Sequence, residues 1–168
     1  MIYLNVSLTG LRGRHHPALS GLLTTKQVSQ ARIHLKMLAG DYFTYSVRSR
    51  QSGGSPNHRS CTPLEPMEED ISHILAVCEK YSDIRDRMLP EFQTLCLQAK
   101  SSVKFEEMRS QFNTLTQFIL DPSSFNLETR IHLSDPILPD IFQLSRDYCN
   151  AIHTKRSNVI TSYQQEQK

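Results

Sequence analysis

Apolar residues recur at helical intervals over most of this chain, and the gaps between those runs carry the turn-forming residues. From Thr24, the capping-box pair Thr24 and Gln27 precedes Val28, Ala31, Leu35 and Leu38, and Gly40 follows, which predicts an amphipathic helix closed at both ends. Its polar side is expected to show Lys26, Arg32, His34 and Lys36. Asp70, with Glu68 and Glu69 beside it, suits the start of a short helix carrying Ile71, Ile74, Leu75 and Ala76. Ser82 can open another, which Pro90 should interrupt or kink before EFQTLCLQA resumes the pattern. Residues 103–120 form one stripe through Phe105, Met108, Phe112, Leu115 and Ile119, ending at Asp121-Pro122. A last helix starts between Pro136 and Asp140 and carries Ile141, Leu144, Tyr148 and Ile152, with a frayed QQEQK end.

Other segments lack that period. MIYLNVSL alternates briefly before the basic turn GLRGRHHPALSG, and DYFTYSVRSR reads as a short strand or an extended arm. QSGGSPN marks a connection, and Thr62, Pro63 and Pro66 keep the following stretch irregular. The fold class is therefore mainly α. Three regions follow: an N-terminal tail or truncated edge (1–23), a module (24–95) and a helical C-terminal region (96–168).

Composition narrows the possibilities. The chain's 168 residues with 38% hydrophobic content and no Trp make one ordinary domain or two small ones with a thin core. No apolar run reaches the ~20 residues of a membrane helix, and the start lacks the features of a secretory signal. Four cysteines without such a signal suit an intracellular, reducing location, where Cys and His clusters hold metal more often than they form disulfides. The net charge of +2 conceals a gradient: residues 1–60 hold eight Lys or Arg and only Asp41 as acid, whereas residues 61–95 hold eight acids and three bases. A basic block of this kind suits phosphate contacts, and equally a solvated helix face.

The chemistry-bearing residues converge on one interval. His58, Cys61, His73 and Cys78 form the pattern HxxC-x11-HxxxxC, a His₂Cys₂ set that would satisfy tetrahedral Zn²⁺ and leave no position open. Such a site is structural rather than catalytic. On an ideal helix, at ~100° per residue, His73 and Cys78 would lie about 140° apart, so the helix must unwind near Cys78 for both to reach one ion. The plainer alternative treats both cysteines as small apolar residues, with His58 in a loop and His73 facing solvent. Cys96 and Cys149 read as buried thiols, while His15, His16, His34, His132 and His153 have no partner at metal spacing. No phosphate-binding glycine loop, GxSxG or HExxH occurs.

The segment ARIHLKMLAGDYFTYSVRSR, the HRSC pair, EEDISHILAVC and Arg85 together resemble the zinc-binding C-terminal region of non-LTR retrotransposon reverse transcriptases. Leu38, Gly40, Cys61, Glu69, His73, Ile74, Leu75 and Cys78 match that pattern, which includes an acid four residues before the His. His58 stands where that family has Cys, and Glu79 where a Pro often follows. The resemblance spans roughly residues 25–87, with a looser likeness in LTQFILDPSS and DPILPDIFQLSRDYCNAIH. It implies a non-catalytic fragment of a retroelement polyprotein, a small zinc-stapled helical module followed by a helical segment. RNA or DNA, within a retroelement ribonucleoprotein, is the implied partner, with Arg48, Arg50 and Arg59 as phosphate contacts and no membrane association. The polymerase YxDD-like aspartates and recognisable nuclease carboxylates are absent, so no enzymatic activity is expected. The alternatives are a helical protein-interaction scaffold with a structural or lost zinc site, and the product of a decayed element.

Overall fold

The computed structural model describes residues 19, 24–42, 44, 69–98, 102–125 and 136–166. Among them the chain is mainly α-helical and contains no strand. Helix α1 (Thr25–Leu38) is followed, beyond the undescribed interval, by a π-helical turn (His73–Val77) and a 3₁₀ turn (Glu79–Tyr81). Then come α2 (Ser82–Gln98), α3 (Ser102–Arg109), α4 (Phe112–Leu120), a 3₁₀ turn (Pro122–Phe125) and the long α5 (Leu138–Glu166). The alternating start of the chain, most of DYFTYSVRSR, and the irregular stretch through Pro66 lie outside the described residues.

Both ends of α1 form as the sequence predicts. Gln27 N–H donates to the Thr24 hydroxyl at 3.2 Å while the Gln27 side chain accepts the Thr24 N–H at 3.0 Å, a reciprocal capping box. At the other end Gly40 N–H reaches Met37 O at 3.2 Å and Asp41 N–H reaches Lys36 O at 2.9 Å. This Schellman closure requires a left-handed residue, and Gly40 supplies it at φ +75°.

The packed face of α1 differs from the predicted one. Gln30, Ala31, His34, Met37 and Leu38 are buried, whereas Val28 is 54% exposed. The helix turns this face because it lies along α5, which offers both polar and apolar partners. Gln30 Nε2 donates to Asp147 Oδ1 at 2.8 Å, and the His34 ring lies 6.4 Å from that of Phe142. His34 is thus an interior residue, not part of the polar side.

Two further expectations change. Pro90 does not interrupt α2, which runs through it from Ser82 to Gln98. The stripe over 103–120 divides into α3 and α4, because Gln111 is extended at φ −118° and ψ 99°. Ser110 stabilises the break by donating its hydroxyl to Glu107 O at 2.7 Å. Phe112, expected in the core, is 44% exposed at the start of α4.

One aromatic from each of four helices builds the centre of the core. Phe92 of α2 meets Phe118 of α4 and Tyr148 of α5 edge to face, at ring distances of 5.9 and 6.1 Å, and Phe105 of α3 meets Phe118 at 6.0 Å. Phe92, Phe105, Phe118 and Tyr148 are completely buried. Helix α2 runs across position 95, and the same core includes residues from both the 24–95 and 96–168 stretches. Among the described residues no helix is long and apolar enough to cross a membrane.

Candidate metal centre

Asp70 begins the segment that carries the sequence-predicted ligands His73 and Cys78. Its Oδ1 accepts the His73 N–H at 2.7 Å, as an N-cap side chain does. The chain then widens rather than simply unwinding. Cys78 N–H donates to His73 O at 2.8 Å, a five-residue bond that closes the π-helical turn.

This widening alters the angular relation between the two residues. A π turn takes about 4.4 residues, or ~82° each, so positions five apart differ by ~50° instead of the ~140° of an α-helix. On that ideal geometry His73 and Cys78 would leave nearer one side of the turn. Cys78 itself lies just past the helix end, at φ −54° and ψ 122°, where its carbonyl accepts the Tyr81 N–H at 3.1 Å.

Remote side chains hold the turn in place. Tyr148 donates its hydroxyl to Leu75 O at 2.5 Å, and Arg85 donates Nη2–H to Val77 O at 3.1 Å. Each satisfies a carbonyl at the helix end that has no intrahelical donor. Arg85, singled out from the sequence as a basic position, acts here on the backbone between the two candidate ligands. His73 and Cys78 are 2% and 1% exposed. His73 does not face solvent, contrary to the plainer sequence alternative.

Glu69, the acid four residues before His73, is taken up by an ion pair. Arg156 of α5 donates Nη2–H to Glu69 Oε1 at 2.6 Å and Nη1–H to Oε2 at 3.0 Å. Burial would lower the Arg156 pKa, but the hydrogen bonds and charge of Glu69, with help from Tyr81, more than offset it and raise it. This pair fixes the entry to the π turn against the last helix.

Cys96 and Cys149 are fully buried, as expected, and burial pushes the Cys149 thiol up, away from the reactive thiolate. His153 is half-buried, 3.1 Å from the Tyr42 hydroxyl through Nδ1. The remaining sequence-predicted site residues, His58 and Cys61 as ligands and Arg48, Arg50 and Arg59 as phosphate contacts, lie outside the described residues, as do His15, His16 and His132.

Two of the four candidate zinc ligands can thus be tested for fit. Imidazole nitrogen and cysteine sulfur are the donors zinc prefers, and their burial suits a closed structural centre. Among the described residues no group of three or more His, Cys, Asp or Glu is placed to hold a metal. Completion of the set rests on His58 and Cys61.

No family model, curated protein or solved structure matches the chain. Arg156, on which the sequence pattern is silent, and Tyr148, which it places only on an apolar stripe, organise the turn. Their partners lie 87 and 73 positions away, and no local pattern announces them.

Proposed function

We propose that this chain is a non-catalytic, zinc-stapled helical module that assists RNA or DNA binding within a retroelement ribonucleoprotein, inside the cell. The observation that carries the reading is the 2.8 Å bond from Cys78 N–H to His73 O, which widens the helix where two ligands of an HxxxxC pair need a common side. His73 and Cys78 would hold Zn²⁺ from the turn, and His58 and Cys61 from the preceding arm. The ion would supply cross-linking, not chemistry at a substrate. Arg48, Arg50 and Arg59, flanking that arm, would contact phosphates.

Metal analysis of the purified chain tests the first part, with about one zinc per chain expected from a four-ligand structural site. Cys61→Ala and Cys78→Ala should each release the metal. A fully folded chain with no bound metal refutes the assignment. For the second part, affinity for a duplex or single strand should fall steeply with salt, and neutralising the three arginines should flatten that slope. A flat response in the wild-type chain refutes nucleic-acid binding.

A protein-interaction scaffold is the second reading, favoured by the ties that already bind the turn to α5. Glu69 to Arg156 and Leu75 to Tyr148 tie this region directly to the last helix. Retention of a protein partner at high salt, with no nucleic acid bound, would select it.

A further inference from the structure

A groove of about 370 Å³ runs between α2 and α5, away from the His73–Cys78 turn. Its floor includes Leu95 and Leu144, and three carboxylates line it: Glu91 from α2, Asp140 and Asp147 from α5. No Lys or Arg is among the described lining residues. Glu91 and Asp140 are exposed.

The third carboxylate is held by two amides and feels one nearby cation, Arg146, which donates Nη2–H to Gln143 Oε1 at 2.8 Å. Asp147 Oδ1 accepts from Gln30 Nε2 at 2.8 Å, and Oδ2 accepts from Gln143 Nε2 at 3.1 Å. Those amides orient the carboxylate, and with Arg146 offsetting one of three acids, Glu91 and Asp140 leave the groove net negative. Both walls of an apolar trough thus carry negative charge, which repels a phosphate backbone and favours cations.

The register of the lining residues defines the shape of a suitable ligand. Asp140, Leu144 and Asp147 stand at i, i+4 and i+7 on α5, while Glu91 and Leu95 stand at i and i+4 on α2. At 1.5 Å per residue the α5 stripe is about 10 Å long, or two helical turns. A third helix laid in the trough would meet apolar positions at its centre and acids at its edges.

We propose that this groove docks a basic amphipathic helix of a partner protein, with leucine-like side chains over Leu95 and Leu144 and Lys or Arg beside Glu91, Asp140 and Asp147. The site is independent of the metal centre, so it stands or falls separately from the proposed function.

Fluorescence anisotropy with a labelled synthetic helix tests it. The probe is about 18 residues long, enough to hold helical structure, with Leu at i, i+4 intervals flanked by Lys, and its control carries Glu for Lys. The full chain should bind the Lys probe, more weakly as salt rises, and should not bind the Glu control. The paired change E91K and D140K, at exposed positions, should weaken binding by at least about tenfold. Thr94→Arg, exposed on the same wall, is an independent variant and should weaken it too. Unchanged affinity in these variants, or equal binding of the Glu control, overturns the proposal. So does self-association of the chain that the E91K and D140K pair abolishes, because the occupant is then a second copy.

Discussion

Glu69→Gln removes one charge from a pair that the fold has taken out of water. The side chains of Glu69 and Arg156 are 1% and 8% exposed, and two hydrogen bonds of 2.6 and 3.0 Å join them. In the variant the guanidinium stays buried and cationic, without its carboxylate. Removing one partner of such a pair costs about 3–5 kcal/mol, because the uncompensated charge outweighs the lost attraction. Against a total stability of about 5–15 kcal/mol for a domain, that is a large fraction.

Urea unfolding followed by far-ultraviolet circular dichroism reads the loss. With a slope of about 1–3 kcal/mol per molar urea, the midpoint should fall by at least about 1 M. Arg156→Met in the Glu69→Gln background should restore part of it, since replacing a buried pair by apolar groups is often neutral. The effect should persist in high salt, because buried charges are poorly screened. Lys155→Ala provides the contrast: its 2.7 Å contact with Asp83 is formed between side chains 39% and 63% exposed, and the midpoint should hardly move. A Glu69→Gln cost below about 1 kcal/mol, or strictly additive single and double variants, would refute the reasoning.

Three other outcomes follow from single residues. Burial first, then Lys36 and Arg156, lowers the His153 pKa from 6.5, so the unfolded chain binds the proton more readily and stability falls as pH drops from 6.5 through the folded value. Urea midpoints measured across that window should lose this component in His153→Gln, and an identical pH profile would count against it. Gly40→Ala meets nothing within 4 Å, so its cost is confined to the left-handed backbone, about 1 kcal/mol by thermal melting; a neutral result would mean the φ of +75° is not held. Pro90→Ala should raise the melting temperature, gaining about 1–3 kcal/mol, because an exposed interior proline supplies no N–H to the Asp86 carbonyl. A lower melting temperature would show that the packing uses the proline.

The candidate site was only partly legible in the sequence. If His73 and Cys78 are to share one ion, the HxxxxC spacing demands a departure from α-helical geometry, because residues five apart at ~100° each point ~140° apart. What form the departure takes was not legible. An unwound last turn and a π turn answer the same angular demand, and the choice depends on which carbonyls find donors. Leu75 and Val77 find theirs in Tyr148 and Arg85, one of which lies far along the chain. The break at Gln111 was equally hidden, since the apolar period continues across it from Met108 to Leu115.

By itself the sequence determined what is local: a mainly helical chain, the capping box at Thr24, the left-handed closure at Gly40, and the Asp70 start. These rest on hydrogen bonds spanning three to five residues, so the residue types present decide them. Only the tertiary structure decided which face of α1 is buried, where the 103–120 stripe divides, and what Glu69 is for. The first and last of these depend on α5 lying against earlier helices, where Asp147 makes Gln30 an interior residue and Arg156 turns an acid of the motif into a buried anchor. Packing overrides local preference there because a buried polar group without its partner costs more than any helix face gains by turning outward.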